Sequence, residues 1–153
     1  MSNNLLVACE GTIPLTADQF AEAARRRWPD ALVRQLRPPR ASAVNVQVVG
    51  PAGMYQINYF RDRRSFSCDA LWPGWGEIAA WLRSVVPDDG RLLVAVDAAL
   101  TMHVTLTPGI TAAEFESRAV SHADPRWTAR EPAVAAMLGL VTATPPRDPG
   151  GEP

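Results

Sequence analysis

The sequence contains no lysine, and all 15 of its basic residues are arginine. It has only two cysteines, Cys9 and Cys68, and two histidines, His103 and His122. Two cysteines cannot build a disulfide framework or, by themselves, a zinc site, so we expect no metal and a cytoplasmic protein with reduced thiols. No apolar run approaches the roughly 20 residues that a membrane-spanning helix needs, so we expect no membrane association.

The charge is nearly balanced over the whole chain but not along it. The formal net charge is -1 and the isoelectric point is about 6.1. Residues 1–64 contain nine arginines and five carboxylates, whereas residues 65–153 contain six arginines and eleven carboxylates. The total lacks the strongly basic character of a dedicated nucleic-acid binder, so we expect no nucleic-acid partner. The asymmetry predicts a dipolar molecule.

The length of 153 residues and the 47% apolar composition predict one folded domain with a real core. We place that domain at residues 1–141. Residues 142–153 are rich in proline and glycine and poor in apolar residues, so we predict a disordered C-terminal tail there.

Alternating apolar and polar residues predict strands. The pattern is clearest at 43–49 and 54–60, which are separated by a Gly-Pro-Ala-Gly turn and predict an antiparallel hairpin. On the first of these strands the asparagine and glutamine are expected to form a solvated face. Further strands are predicted at 5–10, 31–37, 65–71, 92–97 and 102–107.

Capping boxes predict the starts of two helices. Thr16 is followed three residues later by Gln19, and Thr111 by Glu114, a spacing that lets each pair exchange side-chain and backbone hydrogen bonds. Another helix is predicted after Trp72, and a short last one from Glu131 with proline at its first position. The predicted fold class is α+β, with an antiparallel meander sheet of about six strands and two or three helices packed on one face.

Motifs for catalysis and cofactor binding are largely missing. There is no Gly-x-Ser-x-Gly turn, no pair of metal-ligand cysteines and no His-x-x-x-His spacing. Gly74-Trp75-Gly76 matches only the first part of a dinucleotide fingerprint. A cysteine nucleophile paired with a histidine remains formally open, but Cys68 is expected as a buried thiol and His103 as an exposed or capped side chain. We therefore predict a protein that is not an enzyme and needs no cofactor.

Arginines and aromatic residues gather where the fourth predicted strand turns into the fifth and where the next helix begins. Trp, Tyr and Arg are enriched in tight protein interfaces because they combine large contact area with directed polar groups. The same aromatics could instead pack the helix on the sheet, and the arginines could simply solvate a turn. The predicted partner-binding residues are Tyr59, Arg61, Arg63, Arg64, Trp72 and Trp75.

The predicted order of helix, meander strands, helix, hairpin and helix over residues 16–120 resembles small bacterial immunity proteins and the α+β modules of type III secretion chaperones. The resemblance concerns element order only, and the strand at 5–10 departs from the chaperone pattern. It implies a protein partner, either a toxin or a secreted effector, and it assigns no functional residues.

From these observations we predict a non-catalytic protein-binding module, an immunity-type inhibitor that binds and blocks a cognate bacterial toxin. One alternative is a secretion-chaperone-like protein for an effector, which would dimerise and expose an apolar groove. Another is a small enzyme in which His103, Asp97 and the arginines around Arg61 converge. A deep pocket containing a histidine would favour the enzyme, and a flat charged surface would favour the binding module. The sequence leaves the oligomeric state open.

Overall fold

A computed structural model describes residues 4–51, 53–70 and 74–139 of the chain. Within them eight strands form one antiparallel sheet in the order β2-β3-β4-β5-β1-β6-β7-β8. The strands are β1 (Leu5–Cys9), β2 (Leu32–Gln35), β3 (Ser42–Gly50), β4 (Gly53–Phe60), β5 (Ser65–Cys68), β6 (Leu93–Asp97), β7 (Met102–Thr105) and β8 (Val120–Ser121). Five helices accompany them: α1 (Ala17–Arg27), α2 (Trp75–Val85), α3 (Ala112–Ser117), α4 (Trp127–Arg130) and α5 (Pro132–Met137).

The predicted α+β class and antiparallel sheet are confirmed, but the strand number and the simple meander need correction. The sheet has eight strands instead of about six. β2 lies within the strand predicted at 31–37, whereas the two-residue β8 was not predicted. β1 lies between β5 and β6 and is antiparallel to both, so the sheet consists of two meanders joined by the first strand. Both capping boxes are present as predicted, at Thr16 and at Thr111.

The main core lies between one face of the sheet and helices α1, α2 and α3. Phe20 of α1 packs against Tyr59 and Phe66, whose stacked rings have centroids 4.7 Å apart. Leu82 of α2 and Phe115 of α3 belong to the same buried cluster. Side chains of successive strand residues point to opposite faces, so this cluster takes every second residue of each strand. One row of directly opposed residues on this face, from β3 to β7, consists of Val44, Tyr59, Phe66, Val7, Ala95 and Val104.

Helices α4 and α5 pack on the opposite face, in addition to the two or three helices that were predicted to pack on one face. Val94 of β6 points away from the main core and forms a second buried cluster with Trp127 and Val134. Val94 alternates with Leu93 and Ala95, which belong to the main core. This second cluster covers only the β6–β8 end of its face.

The close packing of α2 explains the glycines that resemble a dinucleotide fingerprint. A Cβ atom at Gly76 would lie 3.0 Å from the carbonyl oxygen of Ala112, so glycine lets α2 and α3 approach closely. The Trp75 indole, buried at the start of α2, donates a 2.7 Å hydrogen bond to the carbonyl of Ala70. None of the helices described in the structure is both long and apolar enough to span a bilayer.

Candidate functional site

The opposite face of the sheet divides into two halves, and this division organises the candidate site. One transverse row of directly opposed residues crosses this face from β2 to β8. It consists of Arg34, Asn45, Asn58, Ser67, Leu6, Val96, His103 and Val120. The row begins with polar residues on β2–β5 and passes to apolar residues and a histidine on β1 and β6–β8. We call the β2–β4 part of this face the open face, and the part under α4 and α5 the covered face.

The open face carries a ladder of side-chain amides. The Asn45 amide nitrogen donates to Gln56 Oε1 and to Asn58 Oδ1, both at 2.9 Å. Asn58 Oδ1 also accepts a hydrogen bond from the Ser42 hydroxyl at 3.1 Å, and Arg34 Nη2 donates to Asn45 Oδ1 at 3.4 Å. Asn45 lies among these cross-strand partners and is only 6% exposed, whereas the alternating pattern of β3 predicted a solvated side chain. The ladder holds these polar side chains in one arrangement.

Arginines surround a cleft of about 660 Å³ at the end of this ladder. Arg34 comes from β2, and Arg37 and Arg40 come from the loop between β2 and β3. Within the described residues, none of these three guanidinium groups has a carboxylate oxygen within 4.0 Å. Their positive charge is therefore available to a partner.

Arg61 holds in place the loop that lines part of this cleft. Its guanidinium donates to the carbonyls of Leu36 at 2.8 Å and Arg40 at 3.0 Å, and its backbone N–H donates to Ala41 at 2.7 Å. These bonds join the turn after β4 to the loop that carries Arg37 and Arg40. Arg61 thus acts on the surface by positioning a loop as well as by its charge.

The structure separates the predicted partner-binding residues into two groups. Arg61, Arg63 and Arg64 are exposed in the turn after β4, as the prediction requires. Tyr59 and Trp75 are buried in the main core, so they support the packing alternative and cannot touch a partner in the folded protein. Trp72 lies outside the described residues.

Tyr59 is the clearer example of a packing role. Its hydroxyl donates a 2.6 Å hydrogen bond to the carbonyl of Leu15, 44 residues away, and its ring stacks on Phe66. Burial raises the pKa of Tyr59 to about 12, so the hydroxyl stays protonated at neutral pH. Sequence alternation assigned Tyr59 to a strand but could not show which face of that strand the helices cover.

Exposed apolar residues adjoin the ladder at its other end. Val49 and Met54 are paired across β3 and β4 and are 82% and 63% exposed, and Leu32 of β2 is 53% exposed. By the alternation of the strands, all three lie on the open face. An apolar patch beside polar and arginine groups is typical of the composition of protein interfaces.

The covered face holds a buried histidine that the sequence analysis expected to be exposed or capped. His103 is fully buried because α4 and α5 lie over it. Its Nδ1 is 2.8 Å from His122 Nε2, and its Nε2 is 3.2 Å from Glu131 Oε1. Trp127 stacks on the His122 ring with centroids 4.4 Å apart, and its own indole is buried. We call His103, His122 and Glu131 the histidine triad.

Hydrogen-bond chemistry fixes one donor in the triad. The carbonyl of Leu100 can only accept, so His122 Nδ1 carries a proton and donates to it at 2.6 Å. The contact between the two rings and the contact between His103 Nε2 and the Glu131 carboxylate complete a chain of three hydrogen bonds.

All four ring nitrogens of His103 and His122 have hydrogen-bond partners. The part of the chain that the structure describes holds no group of three or more side chains suited to binding a metal ion. Asp97, proposed as a possible partner of His103, instead accepts hydrogen bonds from the backbone and hydroxyl of Thr101. His103, Asp97 and Arg61 do not converge.

The two thiols are also poorly suited to nucleophilic catalysis. Burial raises the pKa of the Cys68 thiol to about 12, and burial also raises the pKa of Cys9. Thiolate is the reactive form, so both cysteines are protonated at neutral pH. Cys68 is buried between strands of the main core, as its position beside Phe66 predicted.

Comparisons with known proteins found no matching family model, no similar curated protein and no similar solved structure.

Proposed function

We propose that this protein is a non-catalytic binding module whose open face docks on an acidic surface of a partner protein. One observation carries the proposal: among the described residues no helix packs on the β2–β4 half of one sheet face, and this half has an amide ladder beside arginines that have no carboxylate oxygen within 4.0 Å. Arginine is favoured at interfaces because its planar guanidinium binds carboxylates in two parallel hydrogen bonds. Complementary charge also accelerates association.

The kind of partner follows from the sign and position of the charge. Arg34, Arg37 and Arg40 line one cleft, and Arg61 holds the loop that carries Arg37 and Arg40. The net charge of -1 and the amide and apolar content of the surface favour an acidic protein over nucleic acid. An immunity-type inhibitor that covers the active site of a bacterial toxin would use such a surface.

The test compares three versions of the protein as tagged bait in cells of its own source. They are the unchanged protein, the double variant Arg34→Glu/Arg37→Glu, and the control Arg25→Glu/Arg26→Glu. The control makes the same charge change on α1, where Arg25 and Arg26 are exposed and pair only with Glu22 at 3.8 Å. We expect one acidic protein in stoichiometric amount with the unchanged bait and the control, and its loss with the open-face variant.

Two results would contradict the proposal. Equal recovery of the partner by all three baits would show that the open face does not take part in the interaction. Recovery of nucleic acid without a protein would contradict the proposal of a protein partner. The inhibitor role is tested by expressing the recovered partner in a bacterial host. We expect the partner to arrest growth, and we expect the unchanged protein, but not the open-face variant, to relieve that arrest. A partner that does not arrest growth would contradict the inhibitor role.

The secretion-chaperone alternative has one observation in its favour, the exposed apolar patch of Leu32, Val49 and Met54. A chaperone of that kind would dimerise and hold an extended effector segment. Sedimentation at increasing concentration distinguishes the two functions, because the inhibitor proposed here needs no dimer and the chaperone does.

A further inference from the structure

Among the described residues, the second strand, β2, forms one edge of the sheet and pairs only with β3. Its four residues are mostly exposed, and its outward side is the longer of the two sheet edges, since β8 at the other end has two residues. Exposed strand edges present unpaired N–H and C=O groups that another extended chain can bind.

The hydrogen-bond register identifies which backbone groups point outward. The Leu36 N–H donates to the carbonyl of Ala43 at 2.8 Å, just beyond the end of β2. In an antiparallel pair, hydrogen-bonded positions alternate, so Arg34 and Leu32 bond to β3 while Gln35 and Val33 point away from it. In the described part of the chain, no turn, loop or cap hydrogen bond reaches the backbone of these two residues.

The side chains beside this edge specify the chemistry of a strand that would pair with it. Arg34 lies on the open face and has no carboxylate within 4.0 Å among the described residues, and the 53% exposed Leu32 lies two residues away on the same face. A strand added to β2 would place an acidic side chain beside Arg34 and an apolar one beside Leu32.

A second copy of this chain fits the edge less well than an acidic strand. When two copies pair β2 with β2 about a two-fold axis, the central register puts Arg34 directly opposite its equivalent, and the neighbouring registers keep the two guanidinium groups close. Like charges directly opposite each other destabilise strand pairs. The β2 edge therefore favours an acidic strand over a second copy of β2.

We infer that the partner binds by strand addition: an extended acidic segment of the partner pairs with β2 through the outward N–H and C=O groups of Val33 and Gln35. Backbone hydrogen bonds then provide much of the affinity, and Arg34, with Arg37 and Arg40 in the adjoining loop, selects acidic side chains. This inference rests on the proposed function, because it specifies how the partner uses the same surface.

The experiment uses a synthetic twelve-residue peptide of three Glu-Thr-Val-Thr repeats, which places glutamate and valine in turn on one face of the strand, and a control peptide with lysine in place of glutamate. Amide NMR signals of the protein are followed during titration. We expect the glutamate peptide to bind, to shift the Val33 and Gln35 amides and to slow their hydrogen exchange, while the lysine peptide leaves them unchanged. Absence of binding at millimolar glutamate peptide would overturn the inference.

The variant Gln35→Pro removes one outward N–H without removing a bond to β3, and proline is tolerated at edge positions of this kind. It should weaken glutamate-peptide binding about tenfold, the equivalent of roughly 1.4 kcal/mol. The matched control Gln35→Ala keeps the N–H and should bind within about twofold of the unchanged protein. Val33→Pro provides a second variant should Gln35→Pro disturb folding, which thermal melting will show.

The outcomes separate this inference from the proposed function. If Arg34→Glu abolishes peptide binding and the proline variants do not weaken it, strand addition is wrong and the charged docking surface stands. If neither class of variant changes binding, both are wrong. Self-association that the proline variants abolish would identify a second copy as the occupant and overturn the acidic partner strand.

Discussion

The open and covered halves of one sheet face show how a single surface supports two different tasks. In the same transverse row, Asn45 is held by neighbouring amides on the sheet itself, whereas His103 is held by groups that come from outside the strand, His122 and Glu131. The first arrangement needs no covering element and leaves a surface available for binding. The second is complete only when α4 and α5 are in place.

The difference also concerns how each half is stabilised. The covered half combines apolar burial of Trp127 and Val134 with the histidine triad. The open half contributes polar cross-strand contacts, which have modest net value because water competes for the same groups. Changes in the covered half should therefore affect folding, and changes in the open half should affect binding.

The largest effect is expected from Trp127→Ala. The indole is 2% exposed and lies between the His122 ring and the second cluster, so truncation leaves a cavity under α4. We expect a loss of about 3–5 kcal/mol in the free energy of unfolding, measured by urea denaturation. Hydrogen exchange should show faster opening of α4 and α5. A loss below about 1 kcal/mol would show that these helices add little to the fold.

A smaller loss is expected from His103→Phe, which fills most of the ring volume but removes both triad hydrogen bonds. The cost should be about 2 kcal/mol, because His122 Nε2 loses its partner in a half-buried position. Glu131→Gln is the matched control. Its amide can donate to His103 Nε2, so a hydrogen bond at this position is preserved and stability should change much less. An equal loss in the two variants would show that the Glu131 carboxylate itself is required at this position.

On the open half, Asn45→Ala should cost about 1 kcal/mol, since it removes two 2.9 Å hydrogen bonds whose acceptors can be rehydrated. Urea denaturation measures this cost, and partner binding should weaken because the ladder loses its central amide. A cost as large as that of Trp127→Ala would show that the ladder is part of the folding core and would remove the contrast between the halves.

The smallest effect on stability is expected from Arg34→Ala, at less than about 0.5 kcal/mol, because the guanidinium makes one long hydrogen bond and no ion pair among the described residues. Thermal melting should be nearly unchanged while affinity for the acidic partner falls. A marked drop in melting temperature would assign Arg34 to the fold instead of the surface.

Local patterns predicted much of the fold. Alternation located most strands, and the threonine and glutamine or glutamate spacing located α1 and α3, because both signals depend on contacts within a few residues. The position of β1 between β5 and β6 was not predictable in this way. That pairing joins residues far apart in sequence, and alternation does not specify the partner strand.

The candidate site was predictable only in part, because some of its contacts join residues that are far apart in the sequence. Arg61, Arg63 and Arg64 are exposed, as both the partner-binding role and the alternative of a solvated turn require, but the role of Arg61 in holding the β2–β3 loop depends on a contact 25 residues away. Arg34, Arg37 and Arg40 were missed, although their density in the first 64 residues was visible as charge asymmetry. Burial of Tyr59 and Trp75 depended on where α1 and α2 pack.

By itself, the sequence determined the α+β class, the hairpin of β3 and β4, the capped helix starts and the uneven distribution of charge along the chain, because these properties come from composition and from neighbours along the chain. Only the tertiary structure decided which half of the second sheet face is covered. Docking of α4 and α5 buries His103 and leaves Asn45 on a helix-free surface, and that choice depends on long-range packing.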